Sequence, residues 1–176
     1  GLAVSPDEHD FGEVWIGCSE SVDLVLANTG TAAATVDEVS FSVGSSDIVM
    51  VMPSDEGALP WTMDPGATAT FRVTYTPADE VQDIAYLQIG GAEDLLVVLS
   101  GQGALYADYT ETWEVDGATT AFSLTETPVT STLDVRVDGV QTTAWSYDSA
   151  SNQVRLTSAP GAGATVEISY AIPGPC

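Results

Sequence analysis

Over the first hundred residues short apolar-rich stretches recur, and the clearest of them alternate apolar and polar positions with a period of two. Turn residues interrupt them at short intervals, a pattern that predicts strands throughout. Thr68 to Thr76 is the clearest case, with Ala69, Phe71, Val73 and Tyr75 on one face and Thr70, Arg72, Thr74 and Thr76 on the other until Pro77 ends the run. Ser21 to Leu26 sets Val22, Leu24 and Leu26 against Ser21, Asp23 and Val25, and Asn28-Thr29-Gly30 follows as a turn. Thr35 to Val43, Asp47 to Met52, Ile84 to Ile89 and Leu95 to Ser100 are further predicted strands. Asp64-Pro65-Gly66 reads as a turn, and Pro53 to Met63 as a loop carrying Trp61.

Gly101-Gln102-Gly103 reads as a boundary, giving a β-sandwich domain over residues 1–104 and a second, small antiparallel β domain over residues 105–176. Five or six strands are expected in the second, including Tyr106 to Val115, Leu133 to Val137, Val140 to Tyr147, Val154 to Thr157 and Thr165 to Ile172. Asp138-Gly139 predicts a tight primed hairpin turn and Asp116-Gly117 a second one, while Ser158 to Gly163 has loop composition. No segment has a helical period, so the predicted fold class is all-β. No run of 18 apolar residues is present, and no membrane insertion is expected.

Charge narrows the function. The 176 residues carry 26 acids against Arg72, Arg136 and Arg155, with no lysine, for a net charge of -23. Nucleic acid is excluded as a partner, because a polyanion needs a patch of Lys and Arg to displace its counterions. The missing lysine removes Schiff-base chemistry, a P-loop and Lys–Asn isopeptide crosslinks. The single histidine, His9, leaves no His-rich metal site and makes most hydrolase triads unavailable. The acids cannot be sorted by spacing into a glycosidase pair, so no catalytic residue is assigned and the protein is expected not to be an enzyme. An apolar fraction of 44 % still describes a folded chain. Abundant Thr, Ser and Gly, high acidity and two cysteines fit a secreted, extracellular or cell-surface protein, and the start at Gly1 reads as a processed one.

Five stretches of the first segment carry a family pattern: Asp10-Phe11-Gly12, Trp15-Ile16-Gly17, Leu24 to Gly30, Phe71 to Pro77, and Val98 to Gly103. In that order and spacing they resemble the choice-of-anchor D type of immunoglobulin-like domain, related to the ASH and major sperm protein-like sandwiches. The resemblance spans residues 2–104. It implies an immunoglobulin-like β-sandwich of about seven strands, common in extracellular bacterial proteins, and no catalytic residues. Phe122-Ser123-Leu124, Val135 to Val140, Trp145-Ser146-Tyr147 and Ile168-Ser169-Tyr170 resemble a small β module of large bacterial surface proteins. The Asp-x-Ser-x-Ser metal motif of the adhesion domain often found beside that module is missing, so a metal-dependent adhesion role is not implied.

Cys18 and Cys176 are the only cysteines and form the disulfide candidate. Three readings stay open: a bond within one chain, a head-to-tail bond between copies, or two free thiols. Acidic clusters at Asp7-Glu8-His9-Asp10, Asp37-Glu38, Asp55-Glu56, Asp79-Glu80 with Asp83, and Glu93-Asp94 admit calcium, although none has the spacing of a calcium loop, so no metal site is assigned. His9 reads as an exposed loop residue. Trp61 and Trp145 are the weak ligand-binding candidates, since exposed indoles stack on sugars; as with Trp15 and Trp113, packing in the core is the competing reading.

The expected function is that of a secreted, non-enzymatic structural protein of the bacterial cell surface without a cofactor. It would self-assemble as a filament or appendage subunit, with Gly1 to Ser5 or the strand ending in Ala171-Ile172 as strand donor, or act as a spacer. The alternative is an adhesin or carbohydrate-binding module. Expected partners are copies of itself, other surface proteins or glycans.

Overall fold

The computed structural model describes residues 1–54 and 56–176. Two compact units divide the chain: residues 1–104 together with Cys176, and residues 105–175.

The first unit is an immunoglobulin-like sandwich. Its strands are β1 (Leu2–Ser5), β2 (Glu8–Trp15), β3 (Glu20–Asn28), β4 (Ala34–Val43), β5 (Ile48–Val51), β6 (Trp61–Met63), β7 (Thr68–Tyr75), β8 (Gln82–Gly91) and β9 (Leu95–Ala104). One sheet has the order β1-β3-β7-β5 and the other β2-β9-β8-β4-β6. All pairs are antiparallel except β2 with β9. The alternation along β7 becomes a division of environments, with Phe71, Val73 and Tyr75 at 0 % exposure and Arg72 in solvent. Leu24 and Leu26 of β3 and Leu87, Ile89, Val97 and Leu99 of the facing sheet complete the same core. Each such side chain contributes roughly 1.5–3 kcal/mol through burial.

Turn chemistry sets the register. Ala67 N–H donates to the Asp64 carbonyl at 2.9 Å, with Pro65 at the second position and Gly66 at φ +81°, the left-handed position that a type II turn reserves for glycine. Asn28 is the one buried polar residue among those described. Its Nδ2 donates to the carbonyls of Ala32 at 2.8 Å and Met63 at 2.9 Å, and its Oδ1 accepts from Gly30 N–H at 3.0 Å.

The second unit has its own core around Val135, Val154, Val166, Ile168 and Tyr170. Its strands are β10 (Ala107–Glu114), β11 (Ala121–Ser123), β12 (Asp134–Val137), β13 (Val140–Gln141), β14 (Trp145–Asp148), β15 (Gln153–Leu156) and β16 (Thr165–Ile172), with one 3-10 turn at Thr130–Thr132. They form sheets ordered β10-β16-β12-β13 and β11-β15-β14.

Several expectations need correction. Trp61 lies on a strand, since β6 pairs with β4 and sends Trp61 and Met63 inward. Glu8 to Asp10, whose His9 reads as a loop residue in the sequence, belong to β2. Gly101 and Gly103 lie inside β9. The stretch Val140 to Tyr147 splits into β13 and β14, which belong to different sheets. Asp138-Gly139, with both φ values positive at 51° and 78°, does make the predicted primed turn between β12 and β13. Asp116-Gly117 closes no hairpin: β10 pairs with β16 and β11 with β15, while the Asp116 carboxylate caps the turn by accepting from Ala118 and Thr119 N–H.

Candidate functional site

Cys18 sits in the turn between β2 and β3. That turn is closed by Cys18 N–H donating to the Trp15 carbonyl at 2.9 Å, with Gly17 at φ +92°. One residue before Gly17, Ile16 N–H donates to the carbonyl of Ala104, the last residue of β9. The point where the chain leaves the first unit is thus pinned beside Cys18. Cys18 itself is buried and bonded to Cys176, with a Cα–Cα distance of 5.4 Å. Of the three readings open for the cysteines, the structure contains the bond within one chain. It encloses the whole of the second unit, across a sequence separation of 158.

Two tyrosine–carboxylate struts, not apparent in the sequence, organise the polar chemistry. In the first unit the Tyr75 hydroxyl donates to Asp83 Oδ2 at 3.0 Å, and the Ser45 hydroxyl donates to Asp83 Oδ1. Nearby, Asp47 Oδ2 accepts from Ala78 N–H at 2.7 Å. Burial first, then the hydrogen bond to Asp83 and the negative charges of Asp83, Asp47 and Asp79, push the Tyr75 phenol far above its ordinary value. In the second unit the Tyr170 hydroxyl donates to Glu111 Oε1, and Glu111 also accepts from the Thr125 N–H and hydroxyl. Burial and the Glu111 contact push Tyr170 to about 12. For Glu111, burial pulls upward, but the donors from Tyr170 and Thr125 together outweigh it and hold the carboxyl low. These acids are acceptors fixed by O–H and N–H donors, an arrangement that braces sheets.

The remaining acidic clusters are spread out by the pleat or engaged in turns. In β2, Glu8 and Asp10 face one way, and His9 faces the other, edge-on to Phe11 at 4.7 Å between ring centroids. Asp79 accepts from Val81 N–H and Glu93 from Leu2 N–H. Asp55 of the Asp55-Glu56 pair lies outside the described residues. Among the described residues no three His, Cys, Asp or Glu side chains converge as a metal site.

Trp61 is 3 % exposed, stacks on Phe71 at 5.9 Å and donates from Nε1 to the Gly57 carbonyl, so its faces are closed to a sugar. Its core role corrects the ligand-binding expectation. Trp145 is half-buried against the second core and donates from Nε1 to the Thr142 carbonyl at 3.0 Å. A different indole borders an opening: Trp113, tilted on Phe122, lines a cleft of about 400 Å³ with Asp116 and Thr119.

Residues 1–103 match the family model for the HYDIN/CFA65/VesB-like, Ig-like domain. No curated protein matches the chain. Among solved structures, the ASH/PapD-like domain 7 of human CEP192 is similar at 12 % identity and a TM-score of 0.48, over 58 % of this chain and 84 % of that domain. The secreted serine protease VesC of Vibrio cholerae aligns at 14 % identity and a TM-score of 0.45, over 97 % of this chain and 46 % of its own. The VesB protease of the same organism aligns at 14 % identity and a TM-score of 0.45, over 57 % of this chain and 31 % of its own. The chain therefore spans less than half of either protease.

Proposed function

Because the chain belongs to the HYDIN/CFA65/VesB-like Ig-like domain family, we propose that it is a non-enzymatic structural module of a secreted cell-surface protein, acting as a spacer. One observation carries this reading: the Cys18–Cys176 bond. A bond of this kind persists in oxidising compartments. It also changes how the chain bears load. Tension between residue 1 and residue 176 runs through the first 18 residues and the disulfide, and bypasses everything from Ser19 to Pro175. Such a module keeps its length under pull.

Spacing is favoured over assembly by terminal strand donation because both expected donors are already engaged. Leu2–Ser5 is β1, paired with β3, and Ala171-Ile172 belongs to β16, between β10 and β12. Single-molecule stretching by the two termini tests the spacer reading. With the disulfide intact the released contour length is expected to be ~60 Å, against ~600 Å after reduction, at ~3.6 Å per residue. Release of the longer length without reductant, or reaction of both cysteines with a thiol probe in native material, overturns it.

A second reading, glycan recognition, is supported by the cleft beside Trp113. Titration with neutral oligosaccharides, followed by tryptophan fluorescence in wild type and Trp113→Phe, tests it; an unchanged signal in the wild type rejects it.

A further inference from the structure

The outer face of the five-stranded sheet carries an apolar patch that the core does not use. Strand register places Val98 between Glu8 of β2 and Tyr86 of β8, and Tyr86 in turn opposite Val43 of β4. Opposed residues share a face, so this row runs across four strands, roughly 14 Å at the usual strand spacing. Leu96, opposite Gln88, and Ile84, opposite Ser100, stand on the same face, on either side of that row. Leu96 is 50 % exposed, Val43 48 %, Ile84 42 % and Val98 37 %. Isolated exposed apolar residues are ordinary, but here Val98 and Val43 flank Tyr86 in register, with Leu96 and Ile84 diagonal to that row, and together they form one surface.

The β2 side of this surface is acidic. Glu8 and Asp10 border an open groove with Val98 and Ser100, about 330 Å³ in volume. Neither carboxylate has an arginine partner, because all three arginines of the chain pair elsewhere, with Asp23, Asp134 and Asp148. The first segment has 17 acids and one arginine, a balance of -16. A second copy brought onto this face would set carboxylates against carboxylates, which opposes self-docking. A cationic partner meets the opposite condition: its apolar side chains cover the Val98 row while its Lys or Arg side chains reach Glu8 and Asp10.

We propose that the outer face of β2, β9, β8 and β4 docks a basic, amphipathic segment of another protein, with Leu96, Val98 and Ile84 as apolar contacts and Glu8 and Asp10 as the charge contacts. The site goes beyond the spacer reading and does not depend on the disulfide.

The test uses the full chain and three synthetic nine-residue peptides: alternating Lys and Val, alternating Glu and Val, and alternating Lys and Ser. Binding is followed by backbone amide shifts in NMR spectra at low and high salt. The Lys/Val peptide is expected to shift amides of β2, β8 and β9, with affinity falling roughly tenfold between 50 and 500 mM salt. The other two peptides should leave them in place. Leu96→Thr with Val98→Thr puts β-branched residues at both positions of the strand and should abolish binding; Glu8→Gln with Asp10→Asn should weaken it and flatten the salt dependence. Native amide spectra of the free variants establish that they fold. Equal binding of the Lys/Ser peptide would reduce the effect to nonspecific attraction and overturn the proposal. So would shifts spread over the whole surface, no shifts at all, or self-association of the chain through this face that Leu96→Thr abolishes.

Discussion

Gly101 lies against the ring of Tyr75, so closely that a Cβ at position 101 would stand 2.7 Å from Tyr75 Cδ1. Tyr75 is fully buried and held at its hydroxyl by Asp83, so the ring has little room to yield. Gly101→Ala is therefore expected to destabilise the first unit by about 1–3 kcal/mol through overpacking. Urea denaturation measures this, with Gly161→Ala as the comparison. A methyl group at Gly161 would meet nothing within 4 Å, so that substitution should change little.

The disulfide should act as one energetic unit. Closing a loop of this length contributes about 5 kcal/mol by the chain-entropy relation, an upper value here because the loop contains a unit with its own core. Cys18→Ser, Cys176→Ser and the double variant are expected to lose similar stability in urea. A double variant losing the sum of the two single losses would contradict a shared bond.

The Tyr170–Glu111 strut makes stability depend on pH at both extremes. The folded phenol titrates at about 12, above its ordinary value of 10.0, so its contribution is complete below pH 10 and is lost as pH rises toward 12. The Glu111 carboxyl is depressed in the folded state. Its contribution is present above the ordinary carboxylate range and is lost as pH falls through the folded value. Absorbance at 295 nm should show a delayed phenolate component that shrinks in Tyr170→Phe. In the same variant the Glu111 carboxyl, followed by carbon NMR, should titrate at higher pH.

Asn28 joins the end of β3 to Ala32 and to the inward side of β6. Asn28→Ala strands two carbonyls and is expected to cost about 2–3 kcal/mol in urea denaturation. Asn28→Asp replaces a donor by a charge facing those carbonyls, so its destabilisation should grow from pH 3 to pH 7.

How much of this was legible follows from which physical signal each residue carries. The strands β3, β7 and β16 are readable because alternation gives each an apolar face, β8 and β9 because they are short apolar runs bounded by turn residues, and Asp64-Pro65-Gly66 and Asp138-Gly139 because their backbone angles demand those residues. The strand β2 is hidden. Its Glu8-His9-Asp10 run is polar on the outward face, and it pairs in parallel with a strand nearly ninety residues away. Trp61 reads as loop because three residues after a proline are too few to show a period. Gly101 and Gly103 resemble linker glycines in sequence; only the packed structure brings Tyr75 and the Asp79 carbonyl against them.

From composition and two-residue periodicity, which are local properties, come an all-β chain, strongly acidic, with the chemistry of lysine and of a His-rich site removed; its immunoglobulin-like kind comes from the family resemblance of five short stretches. Tertiary structure alone decided that Cys18 reaches Cys176, that Tyr75 and Tyr170 brace carboxylates, that Trp61 is core, and that Val98, Tyr86 and Leu96 share an outward face. Each of these is a meeting of residues from different segments of the fold. Such meetings depend on strand order and register, which the burial of the whole core selects and no short window of residues contains.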